Sequence, residues 1–459
     1  MWAKLSQGEK LVSKTFRPYD PNQVFLMPAS LQDWLPKGHL AYFISDVVDH
    51  LDLGAIMRRY EEEKGYPPYH PAMMVKVLLY AYCIGVPSSR KIQRHLEEDI
   101  AFRVLAANNT PDFRTVSDFR KDHLPALAAL FVQVLRLCQK AGLVKLGHVS
   151  LDGTKIKANA SKHKAMSYGR MKEEEARLEA EVQELLRKAE VVDEEEDRTY
   201  GKNKRGDELP KELAFRESRL KKIREARAAL EAEARQEAEQ KRASGEKASE
   251  VPEDKAQRNF TDPESRIMPA PGGTHFEQAY NAQAAVDSAS QVIVAAEVTD
   301  QPSDRKQAVP MMEQVKANTG GLPREMSADA GYFSSDAVAH LTSDRLDVYM
   351  PPDKMEHRYR MPAAPRGRIP EGLSIADRMR RKLRTKRGRE CYGLRKGLIE
   401  PVFGQIKQAR GFRQFLLRGI EKVRGEWQFI CVGHNVLKLF KTLGAGLVGQ
   451  GLRGQLAAA

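Results

Sequence analysis

The sequence predicts an α+β multidomain protein: a helical N-terminal region, a mixed-sheet α/β core, and a long charged helical insert after the core's first strand. Three observations carry this. The first 143 residues hold apolar stretches at helical spacing and no alternating run. Residues 165–258 shift abruptly to Ala, Glu, Lys, Arg and Leu. From residue 277 the pattern reads strand, strand, helix, strand, helix, strand, which implies a mixed sheet with helices on its faces.

Taken in order, residues 1–30, with "FRPYDPNQVFLMPAS", are Pro-rich and irregular. Ser30 reads as an N-cap for the helix within "LQDWLPKGHLAYFISDVVDHL", with Pro36 breaking its start. "MMVKVLLYAYCIGV" is apolar enough for a buried helix. Pro87 and Ser88 open the next helix, "NNTPD" interrupts, Thr115 or Ser117 opens another, and "HLPALAALFVQVLRLCQKAG" closes the region with an apolar stripe. Its basic residues Arg90, Lys91, Arg94, Arg114, Arg120 and Lys121 read as phosphate contacts of helix-turn-helix material, or equally as the solvated face of an ordinary bundle.

Residues 147–157 alternate as a strand. In the segment 165–258, Leu178, Val182, Leu185 and Leu186, then Leu220, Ile223 and Leu230, recur at three and four, which predicts a charged helical hairpin. Runs 277–287 and 291–299 flank "DSAS" as a strand hairpin. A helix follows with Ser303 as cap and Gly320-Gly321 as stop, then a strand in "PREMSADAG", a helix in "SSDAVAHLTSD" and a strand in "LDVYMP". The expected division is 1–143 helical, 144–164 first part of the core, 165–258 insert, 259–445 remainder of the core with C-terminal helices, and 446–459 a flexible tail.

The formal net charge of +13 favours a polyanionic partner, nucleic acid ahead of an anionic membrane. No apolar run approaches the roughly 18 residues that span a bilayer, and the N-terminus lacks a secretory core, so a cytoplasmic location is expected. Cys83, Cys138, Cys391 and Cys431 form no CxxC pair and read as reduced core thiols. The histidines show no ligand spacing, so a zinc site is not expected.

Three carboxylates stand out. Asp152 lies in "LDGTKIKANASKH" among Lys155, Lys157, Lys162 and Lys164; taken alone, Asp152-Gly153 is an ordinary turn dipeptide. Asp329 ends the strand of "PREMSADAGYFSS", where sites lie in open α/β sheets. Glu400 is the only acid between Glu390 and Glu421 in a segment crowded with Arg387, Arg389, Arg395, Lys396, Lys407, Arg410, Arg413 and Arg418. Two-metal phosphoryl transfer requires distant carboxylates to converge and basic groups to hold the phosphodiester. Asp287, Asp300 and Asp304 also end elements, and turn or cap roles account for them.

"LDGTKIKANASKH", "DPESRIM", "QAYNAQAAVD", "SADAGYFS", "GRECYGLRKGLIEPVFGQIK" and the N-terminal "YHPAMMVKVLLYAY" together resemble the DDE transposases of bacterial insertion sequences, over most of the chain. The resemblance implies an RNase H-like core with Asp152, Asp329 and Glu400 as catalytic metal ligands, holding two Mg²⁺ ions that Mn²⁺ can replace. It maps a Tyr-Arg-Glu-Lys signature onto Tyr392, Arg395, Glu400 and Lys407. Arg395 stands one residue further from Glu400 than the commonest spacing, and Lys396 fits the shorter one. Tyr392, Arg395, Lys396, Lys407, Lys155 and Lys157 are expected to contact DNA in the core, and Arg90, Arg94 and Arg120 in the helical domain that binds DNA ends. The implied activity is cleavage at terminal inverted repeats and strand transfer into target double-stranded DNA by a homodimer, in a bacterial, nucleoid-associated cytoplasmic setting with no membrane. The rivals are a nuclease that does not join ends and an inactive DNA-binding protein. Pro401 directly after Glu400 implies either that a helix starts there or that it kinks.

Overall fold

The computed structural model describes residues 30–60, 67–200, 211–243, 249–354 and 372–444, except 271, 272 and 274, with a few isolated positions between 362 and 370. The irregular stretch expected before Ser30, residues 201–210 of the "DRTYGKNKRGDELP" stretch expected to separate the insert helices, and the tail 446–459 lie outside the described residues.

Among the described residues, seven α-helices precede the sheet: α1 (Leu40–Asp49), α2 (Gly54–Met57), α3 (Pro71–Ile84), α4 (Ser89–Glu98), α5 (Ile100–Leu105), α6 (Phe113–Asp122) and α7 (Leu124–Lys140). Their starts follow local chemistry. Asp99 and Asp112 cap α5 and α6 by accepting from exposed first-turn N–H groups. His39 and His70 do the same for α1 and α3 through a ring nitrogen. The first helix therefore begins at Leu40 rather than after Ser30, where only a 3₁₀ turn forms over Leu31–Asp33. Likewise α6 begins at Phe113, ahead of Thr115, because Asp112 is the better-placed acceptor. Helix α3 stops at Gly85, whose φ is 81° and whose missing side chain lets the Arg410 carbonyl approach; a Cβ there would lie 2.5 Å from that oxygen.

Next come β1 (His148–Lys157), β2 (Ala165–Ser167), the insert helices α8 (Tyr168–Tyr200) and α9 (Lys211–Ala243), β3 (Gln257–Asn259), β4 (Arg266–Pro269), β5 (Phe276–Asp287) and β6 (Ile293–Thr299). The chain ends with α10 (Ala308–Thr319), β7 (Glu325–Ser327), α11 (Ser335–Ser343), β8 (Asp347–Tyr349), α12 (Ile375–Leu383), α13 (Lys386–Gly404) and α14 (Ile420–Leu443). The sheet order is β4-β5-β1-β7-β8, with β6 also paired to β5. Strand β1 is antiparallel to β5 and parallel to β7, and β7 is parallel to β8, so the sheet is mixed. Asp152-Gly153 makes no turn: both residues pair within β1, opposite Ala284 and Gln283. Helix α10 starts at Ala308, beyond the Ser303 cap expected, and ends at Gly320 in the left-handed region.

One apolar cluster joins the early helices to the sheet, running from Phe43, Leu78 and Phe102 through Val134 and Trp427 to Val149, Val294 and Met326. Helix α14 is its axis. Its Asn435 side chain receives the Ile293 N–H at 2.9 Å and donates to the Ile293 carbonyl at 2.8 Å, continuing the backbone pairing of β6 inside the core. No single helix among the described residues is long and apolar enough to cross a membrane.

The insert stands apart. Leu178, Leu220, Ile223, Ala226 and Leu230 form a seam between α8 and α9 that continues into Met166, Tyr168 and Met171 at the base, separate from the main core. Ion pairs line the seam, among them Arg224 and Arg227 on Glu175. Replacing residues 179–222 with a short Gly/Ser linker is expected to leave cooperative unfolding intact. A melt followed by circular dichroism checks this; a broad, non-cooperative transition would place the distal hairpin in the core.

Candidate active site

Register brings two of the carboxylates together. Ser150 of β1 pairs with Ser327 of β7, their hydroxyls 3.0 Å apart. Side chains repeat every second residue along a strand, so the next residue on that side is Asp152 in β1 and Asp329 just past β7. Asp329 sits at the carboxyl end of β7, and Asp152 lies mid-strand in β1, just past the end of its parallel pairing with β7, where β1 continues beyond its neighbour.

Helix α13 supplies the cation between them. The Arg395 guanidinium donates to Asp152 Oδ2 at 2.8 Å and is close enough for Asp329 and Glu400 to raise its basicity as well. Asp152 is thus in contact with Arg395, while Asp329 and Glu400 are near enough to act on its charge. Tyr392, one turn earlier, lies under that guanidinium, 5.9 Å from ring centre to Cζ. Arg395 is half-buried and faces the acids, whereas Lys396 is exposed. Glu400 is exposed on the same helix.

Helix α13 neither starts nor stops at Pro401. It runs through the proline and passes into a π turn over Gln405–Ala409, a widening common beside functional sites. That turn aims Lys407 back at β1, where its Nζ donates to Thr154 Oγ1 at 3.0 Å and to the Lys155 carbonyl at 3.1 Å.

Burial drives the electrostatics. Desolvation raises the Asp152 carboxyl to about 7, against the pull of Arg395 and with the push of Asp329. Asp329 is raised for the same first reason and is likewise lowered by Arg395. Withdrawn carboxylates with so little compensating charge, offering hard oxygen donors, fit a hard divalent cation such as Mg²⁺.

Asp304 departs from the cap role expected of it. Its Oδ1 accepts from Asn281 Nδ2 at 2.6 Å and Gln283 Nε2 at 2.7 Å, and lies 3.6 Å from Lys155 Nζ. Tyr332 donates to Gln283 Oε1, extending the chain into the core. A Cβ on Gly331 would meet Asp329 Oδ1 at 3.0 Å and Asp304 Oδ2 at 3.6 Å, so the two carboxylates flank one glycine. Gly153 leaves room for the same network: a Cβ there would lie 2.8 Å from Asp304 Oδ1. Asp304 is thus a fourth acid at this edge. The sequence signal was its neighbourhood to α10 alone, which a simple cap explains equally well. Asp287 does play the expected turn role, accepting from the backbone of Leu146 and Ala289, and Asp300 pairs with Arg266.

The other basic residues divide by exposure. Lys155 is turned inward to Asp304, while Lys157 is more open, 4.0 Å from Glu277. Arg90 and Arg94 are exposed on α4, Arg90 over the Phe113 ring and Arg94 paired with Glu98. Arg120 corrects the sequence reading. It is buried, donating to the Pro87 carbonyl at 2.6 Å and to Ser89 Oγ at 3.1 Å, and offers no phosphate contact.

A mixed α/β sheet with Asp152 on its central strand, Asp329 just past the adjacent parallel strand and an arginine paired with the first defines a candidate nuclease or phosphoryl-transfer site. Two family models match the chain: "Transposase domain (DUF772)" over residues 29–122, and "Transposase DDE domain" over residues 369–440. The first covers α1–α6; the second contains Tyr392, Arg395, Lys396, Glu400 and Lys407, while Asp152 and Asp329 lie outside both. No curated protein and no solved structure matches. Together the two matches support a DDE transposase of insertion-sequence type. That class implies DNA as partner and a divalent metal for activity.

Proposed function

We propose that this transposase binds the terminal inverted repeats of its element, cleaves DNA there and joins the released ends to a target, acting as a homodimer on DNA. The observation that carries the reading is the 2.8 Å pairing of Arg395 on α13 with Asp152 on β1, beside Asp329 just past the parallel strand β7. An RNase H-like core is supported by the strand order, with β6, β5 and β1 antiparallel and β7 and β8 parallel to β1.

Asp152, Asp329 and Glu400 would hold two Mg²⁺ ions, or Mn²⁺ in their place, which activate an attacking oxygen and stabilise the leaving one. Arg395 is engaged by Asp152 through one terminal nitrogen, and its guanidinium would share its charge with a phosphodiester drawn to the acids. Tyr392 holds that guanidinium against its ring. Lys407 ties α13 to β1 and so fixes the helix bearing Glu400 against the strand bearing Asp152. Lys157, Lys396, Arg90 and Arg94, being open to solvent, attract the DNA backbone, and reading of the repeat is assigned to the helices before the sheet.

The test supplies Mg²⁺, a DNA fragment ending in the element's repeat, and a target plasmid. Joined product is expected; cut but unjoined ends would make the protein a nuclease, and binding without cutting an inactive DNA-binding protein. In the same assay Lys407→Ala is expected to lower cleavage at least ~10-fold, while the log–log salt slope of binding falls by less than the roughly 0.9 of one full phosphate contact. Its internal bonds to Thr154 and Lys155 are the reason. A full loss of slope with unchanged cleavage would make Lys407 a pure phosphate ligand.

A further inference from the structure

Four residues ahead of Asp152, Asp329 and Arg395, on the same three segments, stand His148, Glu325 and Cys391. Among the described residues they are the one trio of His, Cys, Asp or Glu whose ligand atoms all lie within 4.8 Å of one another. Glu325 Oε2 is 3.4 Å from Cys391 Sγ and 3.7 Å from His148 Nδ1. His148 is 4% exposed, and its Nδ1 has no hydrogen-bond partner. An imidazolium donating to Glu325 would need a contact shorter than 3.7 Å. Bonds of roughly 2.0–2.3 Å to a tetrahedral zinc ion place ligand atoms about 3.3–3.8 Å apart, which is the spacing of both measured edges.

The surroundings suit coordination too. His148 Nε2 lies 2.9 Å from Ser327 Oγ, which fixes the ring with Nδ1 toward the trio. Arg387 occupies Glu325 Oε1 at 2.6 Å and leaves Oε2 for another cation.

We propose that His148 Nδ1, Glu325 Oε2 and Cys391 Sγ form a structural site for a zinc-class divalent ion, with a water in the fourth place. Thiolate, imidazole and carboxylate together select such a metal over Mg²⁺, which prefers oxygen alone. The Cys391 thiol releases its proton to solvent as the Sγ–metal bond forms. The ion clamps β1, β7 and α13, the three elements that deliver Asp152, Asp329 and Arg395, one step behind the reacting edge. It is distinct from the acid cluster, and its detection does not depend on any DNA reaction.

The test uses the full chain, stripped with chelator and titrated with Co²⁺. A thiolate-to-cobalt charge-transfer absorption is expected, saturating at about one ion per chain and displaced by Zn²⁺. Cys391→Ser should abolish that absorption, His148→Ala should move its midpoint to at least ~10-fold higher Co²⁺, and Asp300→Ala, whose carboxylate is held by Arg266 outside both clusters, should leave the absorption and its midpoint unchanged. Absence of the absorption in the wild type, or its persistence in Cys391→Ser, would overturn the site. Where Cys391→Ser does not fold, melting decides: Zn²⁺ should raise the melting temperature of wild type and Asp152→Asn alike, and no rise in either would overturn it.

Discussion

Asp152→Asn, Asp329→Asn and Glu400→Gln are each expected to lower Mg²⁺-dependent cleavage of end DNA by at least on the order of 10²–10³-fold, the cost of removing a single preorganised hydrogen-bond donor from a transition state. DNA binding should change only a few-fold, because it rests on basic groups outside the acid cluster. The amide replacements preserve shape, and Asp152→Asn keeps an oxygen for Arg395, so lost activity reports lost charge rather than lost packing. Asp300→Ala is the matched control, since its carboxylate is taken by Arg266 away from the cluster. Asp304→Ala is not neutral: it strips the acceptor shared by Asn281 and Gln283 and the partner of Lys155, and cleavage should fall with it. Single-turnover cleavage beside a binding titration measures all five. Substantial cleavage by Glu400→Gln would remove Glu400 from the site.

Arg120→Ala is expected to destabilise the fold by about 3 kcal/mol, well above a typical surface change. The loss leaves the Pro87 carbonyl and Ser89 hydroxyl without their donor inside the helical region, and takes a positive charge from the neighbourhood of buried Glu426. Denaturant unfolding should show a lower midpoint with an unchanged slope. Arg94→Ala, exposed and paired only with Glu98, should be near neutral in the same measurement and should instead weaken DNA binding. A stable Arg120→Ala that lost only DNA affinity would return Arg120 to the phosphate contacts.

Both results turn on what could be read along the chain and what could not. Helix and strand types followed from local periodicity, and so did the paired strands around Asp287 and the charged hairpin. The boundaries slipped where two capping residues competed: Asp112 displaced Thr115, and His39 displaced Ser30, because the acceptor nearest the free N–H groups decides the start. Pro401 could not be placed by rule, since a π turn beyond it absorbs the disturbance within a continuous helix.

By itself the sequence determined the element types and the basic character, because these are properties of a residue and its near neighbours; Asp152, Asp329 and Glu400 stand out together only through the resemblance of several separated motifs, since Asp152 alone reads as a turn. Only tertiary structure decided which long side chains reach the site. Arg395 and Lys396 are adjacent in sequence, yet about 100° of helical rotation sends one to Asp152 and the other to solvent. Arg120 looks like its exposed neighbours until α3 and α4 close over it. Asp304 joins the acids through contacts made by β5, and His148, Glu325 and Cys391 meet although their spacing carries no metal signature. Such groupings depend on strand register and helix phase between distant segments, which one-dimensional spacing does not encode.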